Sequence, residues 1–266
     1  MPETLLKVEH LNKVYESSTG NVEAIGDISF TMQRGELVCI VGPSGCGKTT
    51  LLKCIAGLLR PSAGIVELDG KIVSGPPANM ALVFQEYGRS LYPWLTVRGN
   101  VELPLRHKKL SRAEKDALID DALLAVGLDH AGGSFPWQLS GGMQQRVAIA
   151  RAVAYQPEVL IMDEPFAAVD AQTRADLEDL VRSLHRERGM SILFVTHDID
   201  ESVYLGERVV VLSKSPTWVQ EDLAIDLPAE RDQITTRAMP RFTELRTYVY
   251  EQIQRAKRGQ AVRPTS

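Results

Sequence analysis

This 266-residue chain has little cysteine, no long apolar run and no large excess of one charge, and each shortage excludes something. Its three cysteines, Cys39, Cys46 and Cys54, show no metal-ligand spacing and no even-numbered framework. That excludes a disulfide-built scaffold and agrees with a reducing compartment. Cys39 and Cys54 stand among apolar neighbours and read as small core residues. No apolar stretch approaches the ~18 residues that cross a bilayer. Met1-Pro2-Glu3-Thr4 lacks the basic-then-apolar order of a secretory signal, so any membrane role is expected to run through a partner. A net charge of -4 argues against wholesale nucleic-acid binding, and no nucleic-acid partner is expected. Neither an internal repeat nor a low-complexity segment is present.

What remains is ordinary for a globular protein: 44% hydrophobic and 24% charged residues, enough for one large α/β domain with a short appendix. Leu5 to Val8, Val22 to Met32 and the wholly apolar Leu37-Val38-Cys39-Ile40-Val41 read as strands, the last of them buried. Lys48 to Leu59 reads as a helix stopped by Pro61. Gly64 to Leu68 and Met80 to Phe84 are short strands around the turn-rich Ser74-Gly75-Pro76-Pro77. From Thr96 to Leu128 the pattern is helical, with Ser111 capping Arg112 to Val126, which predicts a helical subdomain at about 96–155 inserted in the sheet domain. A helix to about Ala154, a buried strand, a helix from Ala171 to Arg188 and a strand from Ser191 to Val195 complete an alternating pattern. Such alternation implies a mainly parallel sheet. Beyond about Pro216 the sequence is less orderly. An amphipathic stretch from Phe242 to Ile253 ends in Arg255-Ala256-Lys257-Arg258, expected to be a mobile polar tail.

Three segments carry chemistry. Gly42-Pro43-Ser44-Gly45-Cys46-Gly47-Lys48-Thr49 sits between a strand and a helix, the context of a phosphate-binding loop. Backbone N–H groups of Gly45, Cys46, Gly47 and Lys48 are expected to converge on phosphate oxygens, helped by the positive end of the following helix. Lys48 would bridge β- and γ-phosphates, and the Thr49 hydroxyl would ligate Mg²⁺. Cys46 needs only to be small there, and its alkylation should obstruct the nucleotide.

The second segment, Val159-Leu160-Ile161-Met162-Asp163-Glu164, ends an apolar strand in two acids, an expensive burial unless a cation compensates it. Asp163 suits the outer shell of Mg²⁺ and Glu164 the polarising of an attacking water. A solvated strand end with helix-cap duty is the plainer alternative. In the third, Leu139-Ser140-Gly141-Gly142-Met143-Gln144-Gln145-Arg146, a helix opens with no bulky side chain at its mouth, which makes a second anion site. Taken singly, it could equally be an ordinary capped helix start.

The three together, in this order, resemble the nucleotide-binding subunit of an ATP-binding-cassette (ABC) transporter over roughly Leu5 to Ser213. The resemblance implies a P-loop NTPase fold: a mixed sheet core, an antiparallel β subdomain and an inserted α-helical subdomain. It implies ATP and Mg²⁺ as cofactors and an ATP-binding set of Tyr15, Gly42, Pro43, Ser44, Gly45, Cys46, Gly47, Lys48, Thr49 and Thr50, Tyr15 lying against adenine. It implies a head-to-tail pair of ATPase subunits, homo- or heterodimeric. In that pair Ser140, Gly141, Gly142, Met143 and Gln144 of each subunit close over the other's γ-phosphate, and Asp170 crosses the interface. Gln85 reaches Mg²⁺ and the water, and His197 holds the γ-phosphate, so the catalytic set is Glu164, His197, Gln85 and Lys48 and the metal set Thr49, Gln85 and Asp163. Tyr15 as a surface tyrosine and His197 as a helix cap stay open as plainer readings. Met143, where many relatives have Gln, and Ala167-Ala168-Val169-Asp170 depart from the usual pattern without removing a group that hydrolysis requires.

Val83-Phe84-Gln85-Glu86-Tyr87 with Leu91-Tyr92-Pro93-Trp94-Leu95-Thr96-Val97-Arg98-Gly99-Asn100-Val101 resembles importer ATPases of the nitrate, taurine and aliphatic-sulfonate group. That implies an importer subunit peripheral to the cytoplasmic face of the inner membrane, with transmembrane permease subunits and, indirectly, an extracytoplasmic substrate-binding protein. Pro93-Trp94 would face the permease, or else belong to a packed loop. A soluble non-transport ABC ATPase and an exporter subunit are the rival readings. For residues 216–266, packing on the sheet, lengthening the dimer contact and regulation all stay open.

Overall fold

The computed structural model describes residues 3–16, 20–85 and 90–259. Met1, Pro2, Glu86, Tyr87 and the last residues, 260–266, lie outside the described residues. In chain order the first elements are β1 (Thr4–Tyr15), β2 (Val22–Gln33), β3 (Leu37–Val41), α1 (Lys48–Ile55), β4 (Ala63–Leu68), β5 (Lys71–Ile72) and β6 (Met80–Val83). There follow α2 (Val97–Glu102), α3 (Arg112–Ala125), α4 (Gly141–Ala154), β7 (Val159–Asp163) and α5 (Ala171–Arg188). The last are β8 (Ser191–Val195), α6 (Ile199–Leu205), β9 (Arg208–Leu212), β10 (Thr217–Ala224) and α7 (Pro240–Arg258). The chain divides into two compact units, Met1–Pro77 with Gly189–Ser266, and Ala78–Arg188.

In the first unit the strands lie in the order β5-β4-β1-β2-β10-β9-β3-β8. The centre is parallel: β3 pairs with β8 on one side and β9 on the other. Every residue of β3 and β8 is buried, which is why both read as continuous apolar runs. Beyond them the sheet turns antiparallel through β1 with β2 and β4, so it is mixed. α1 stops at Ile55 and does not reach Leu59, because Gly57 turns left-handed (φ 68°) and the Leu58 N–H bonds back to Lys53 O.

The region after Pro216 is more orderly than its composition suggests. β10 pairs antiparallel with β9 and parallel with β2. α7 has Pro240 in its first turn and the left-handed Gly259 at its end, two boundary signals present in the sequence. Phe242, Leu245, Val249, Ile253 and Ala256 form its buried stripe. Arg255-Ala256-Lys257-Arg258 is therefore the last turn of a helix and not a separate mobile tail, and Ala256 is wholly buried. Gln220 Nε2 donates to Gln252 O at 2.6 Å, and the Tyr248 hydroxyl donates to Glu221 at 3.0 Å, joining α7 to β10.

The second unit contains the parallel pair β6–β7, with α2, α3 and α4 between them in sequence and α5 after them. Ser111 caps α3 in a full capping box with Glu114. Arg98 ties α2 to α3 through Asp116 and Asp120.

Candidate functional site

The phosphate loop leaves the buried end of β3 and enters α1 at Lys48. Gly47, the residue before α1, has φ 100°, open to glycine and strained for any side chain, and an added Cβ would meet Ala24 O at 3.2 Å. α1 has no side-chain cap and no acid in its first turn, and Leu51 N–H bonds back to Gly47 O at 2.8 Å. Its amino end thus keeps its positive potential for an anion. Ser44, Gly45 and Thr49 are exposed; Cys46 and Lys48 are buried. Lys48 Nζ donates to Gly42 O at 3.2 Å and Pro43 O at 3.4 Å. One expectation changes. The Cys46 N–H donates to Pro43 O at 3.2 Å, closing the loop on itself, so this expected anion donor already has an acceptor inside the loop.

Behind the loop stands Thr217, fully buried at the start of β10. Its hydroxyl contacts Cys46 O, and Ala24 O lies 3.1 Å away. No motif points to Thr217: it is 171 residues from Cys46, and only the pairing of β10 with β2 brings it there.

Two more expected residues belong to this unit. Tyr15, the last residue of β1, is half-exposed, and its hydroxyl lies 3.2 Å from Thr50 Oγ1 in the first turn of α1. A ring held beside the loop can serve as a stacking platform. His197 is exposed just past β8, the parallel neighbour of β3, so it shares the carboxyl edge of the strands with the phosphate loop. The helix cap here is Asp198, which accepts the Glu201 N–H at 3.1 Å, so His197 is not the capping residue.

In the second unit, register pairs Val83 of β6 with Met162 of β7, so Gln85 and Glu164 follow adjacent strand ends. Gln85 Nε2 donates to Glu164 Oε2 at 3.4 Å. Asp163 is 7% exposed at the end of a strand whose five residues are all buried. Glu164 has φ 43°, a left-handed conformation uncommon outside glycine, and strain of this kind gathers at functional positions.

Ser140 caps α4, its hydroxyl accepting the Met143 N–H at 3.3 Å, and Gly141 is exposed. Gly142 answers to packing as well as to anion approach: an added Cβ would lie 2.3 Å from Thr173 Cγ2. Gln144 turns its amide to Pro136 O and Leu139 O, bracing the preceding loop. Asp170 accepts the Thr173 N–H at 3.0 Å and its hydroxyl at 2.7 Å, which holds its carboxyl below the usual range and caps the start of α5.

The same unit has an open cavity of about 440 Å³, with Phe84, Tyr92, Leu103, Pro104, Arg151 and Tyr155 in its lining. Arg151 donates to Ser90 O and Oγ, and burial lowers its pKa. Next to Tyr92, Trp94 is 69% exposed with its ring edge-on at 5.2 Å. Asn100, fully buried, holds that loop. It accepts the Tyr92 N–H at 2.8 Å and its amide contacts the carbonyls of Tyr92, Leu95 and Thr96. Trp94 is therefore presented outward by a pinned loop and is not its packing core.

A glycine-cradled loop at the end of a buried parallel strand, a second strand closing in paired acids, and a Ser-Gly-Gly helix start define a P-loop ATPase of the ATP-binding-cassette class. The family described as ABC transporter matches residues 25–167, and the chain belongs to it. The nitrate import ATP-binding protein NrtD of Synechocystis sp. is 41% identical over 98% of this chain and 97% of its own length. The bicarbonate transport ATP-binding protein CmpD of the same organism is 38% identical, over 92% and 88%. A dimeric structure of an ATP-binding cassette in a post-hydrolysis state, bound to ADP and Pi, has a TM-score of 0.73 at 32% identity, covering 83% of this chain and 99% of that one. The protein is an ATP-binding, ATP-hydrolysing subunit.

Proposed function

We propose that this chain powers an ABC importer for a small anion of the nitrate or bicarbonate kind. The carrying observation is the end-to-end likeness to an import ATP-binding protein, 98% of one chain against 97% of the other. No helix among the described residues is long and apolar enough to cross a membrane, so a permease must supply the path. Two copies, or one copy and a similar subunit, work as a pair at the cytoplasmic face, and a separate extracytoplasmic protein delivers the anion. The Phe84–Tyr92–Tyr155 cavity beside exposed Trp94 is an aromatic-rich surface suited to a permease segment.

The donor types are those that a magnesium nucleotide takes. Magnesium keeps several waters and takes one or two carboxylates with substrate phosphates, and here a hydroxyl at Thr49 and a carboxylate at Asp163 are the candidates. When bound, it neutralises charge on the phosphates. Lys48 and the loop N–H groups orient the phosphates, Tyr15 the base. Glu164, steadied by Gln85, accepts a proton from the attacking water, and His197 stabilises charge on the γ-phosphoryl group as it passes to that water and ADP leaves. Ser140 and Gly141 of the partner complete the oxyanion contacts, and Asp170 lies at the interface.

The test is to tag the chain, solubilise membranes gently and identify what co-purifies by mass spectrometry. A stoichiometric multi-span permease, with energised uptake of nitrate or bicarbonate lost on deletion, is the expected result. Soluble partners alone would sink the transport reading in favour of a non-transport ATPase.

A further inference from the structure

We infer that Thr217 is a positioning residue for ATP, holding the Cys46–Gly47 peptide so that its N–H faces the phosphates. A peptide unit is planar and trans, so its carbonyl and its N–H point in opposite directions. Anchoring Cys46 O from behind therefore aims the Gly47 N–H forward. The Thr217 hydroxyl contacts that oxygen from a fully buried position at the head of β10.

The loop needs such an anchor because of Gly47 itself. Its φ of 100° is one that glycine accepts, and glycine accepts the opposite sign about as readily. Rotation of this one peptide thus meets little intrinsic resistance, and it would turn a carbonyl oxygen toward the phosphates in place of a donor. The position cannot trade this freedom for a stiffer residue: a Cβ at residue 47 would meet Ala24 O at 3.2 Å and Thr217 Oγ1 at 3.6 Å. The Thr217 hydroxyl fixes the remaining freedom. Cys46 N–H already donates to Pro43 O within the loop, which raises what the orientation of the next N–H, that of Gly47, is worth. The strand carrying Thr217 is itself braced by α7 through Gln220 and Gln252, so the carboxy-terminal region supports the nucleotide site from behind.

The inference rests on ATP binding in this loop, and the experiment separates the two. ATP affinity, KM, kcat and the thermal midpoint without nucleotide are measured for the wild type, Thr217→Val, Thr217→Ser and Thr217→Cys. An N–H that binds phosphate alike in ground and transition states moves KM and leaves kcat nearly unchanged. The expectation is that Val and Cys raise KM and weaken ATP binding about tenfold. Ser should restore wild-type values, with the nucleotide-free midpoint of Cys and Ser alike. If Val does not fold, the Ser–Cys pair, which differ by oxygen for sulfur, decides. Wild-type KM in Cys, or a Ser variant as weak as Cys, overturns the inference. A wild type that binds no ATP, or a Lys48→Ala variant that binds as well as the wild type, would instead refute the phosphate-loop reading.

Discussion

The side-chain amide of Gln85 donates to the Glu164 carboxylate at 3.4 Å, joining the ends of two parallel strands, β6 and β7, at the residue whose backbone is left-handed. The contact sets a neutral donor against the Glu164 carboxylate.

Glu164→Gln keeps the size of the side chain and removes its basicity. ATP binding should persist while turnover falls about 10²–10⁴-fold, and the variant should migrate as an ATP-dependent dimer in size-exclusion chromatography. Turnover within threefold of the wild type would place the base elsewhere.

Gly142 and Thr173 offer a paired test. Gly142→Ala drives a methyl into Thr173 Cγ2 and should cost about 1–3 kcal/mol of stability by overpacking. Thr173→Ser deletes that methyl and keeps the hydroxyl bond to Asp170. The double variant should recover most of the loss in urea unfolding. A double variant no better than Gly142→Ala alone would show that the glycine answers to something other than Thr173.

Trp94 is read as a permease contact. Trp94→Ala should weaken co-purification of the permease by about tenfold or more, the loss typical of a central aromatic anchor. Hydrolysis by the isolated subunit should hold. Unfolding of Trp94→Ala would return it to the loop's packing core.

The cysteines carry a pH prediction. Burial pushes the Cys54 thiol up to about 11, and all three thiols are buried. Because its folded pKa lies above the unfolded one, Cys54 adds stability that is fully present below about 8.5–9. That contribution disappears as pH rises through about 11. Cys54→Ala should therefore show a flatter fall in thermal midpoint between pH 9 and 11 than the wild type. At pH 8 thiol reagents should modify the native protein slowly, and bound ATP should slow modification of Cys46 further. Rapid labelling of all three thiols in the folded protein would contradict this burial.

Much of the fold was legible because its signals are local. Continuous apolar runs at Leu37–Val41 and Val159–Met162 mark strands buried on both faces, and Ser111 with Glu114 writes a helix start within four residues. β10 was not legible, since its eight residues alternate weakly and it is held by pairing on two sides. α7 did carry readable signals in Pro240 and Gly259, but its charged surface obscured the stripe.

The sequence by itself determined the chemistry available: which loop can cradle phosphates, which strand ends in acids, which helix opens without bulk. Those properties depend on residues a few positions apart, where backbone geometry translates order into shape. Tertiary structure alone decided which atoms those groups would meet. It placed Thr217 behind Cys46 and set Thr173 against Gly142. The physical reason is that strand register and close packing bring together distant side chains whose separation along the chain carries no trace of the contact.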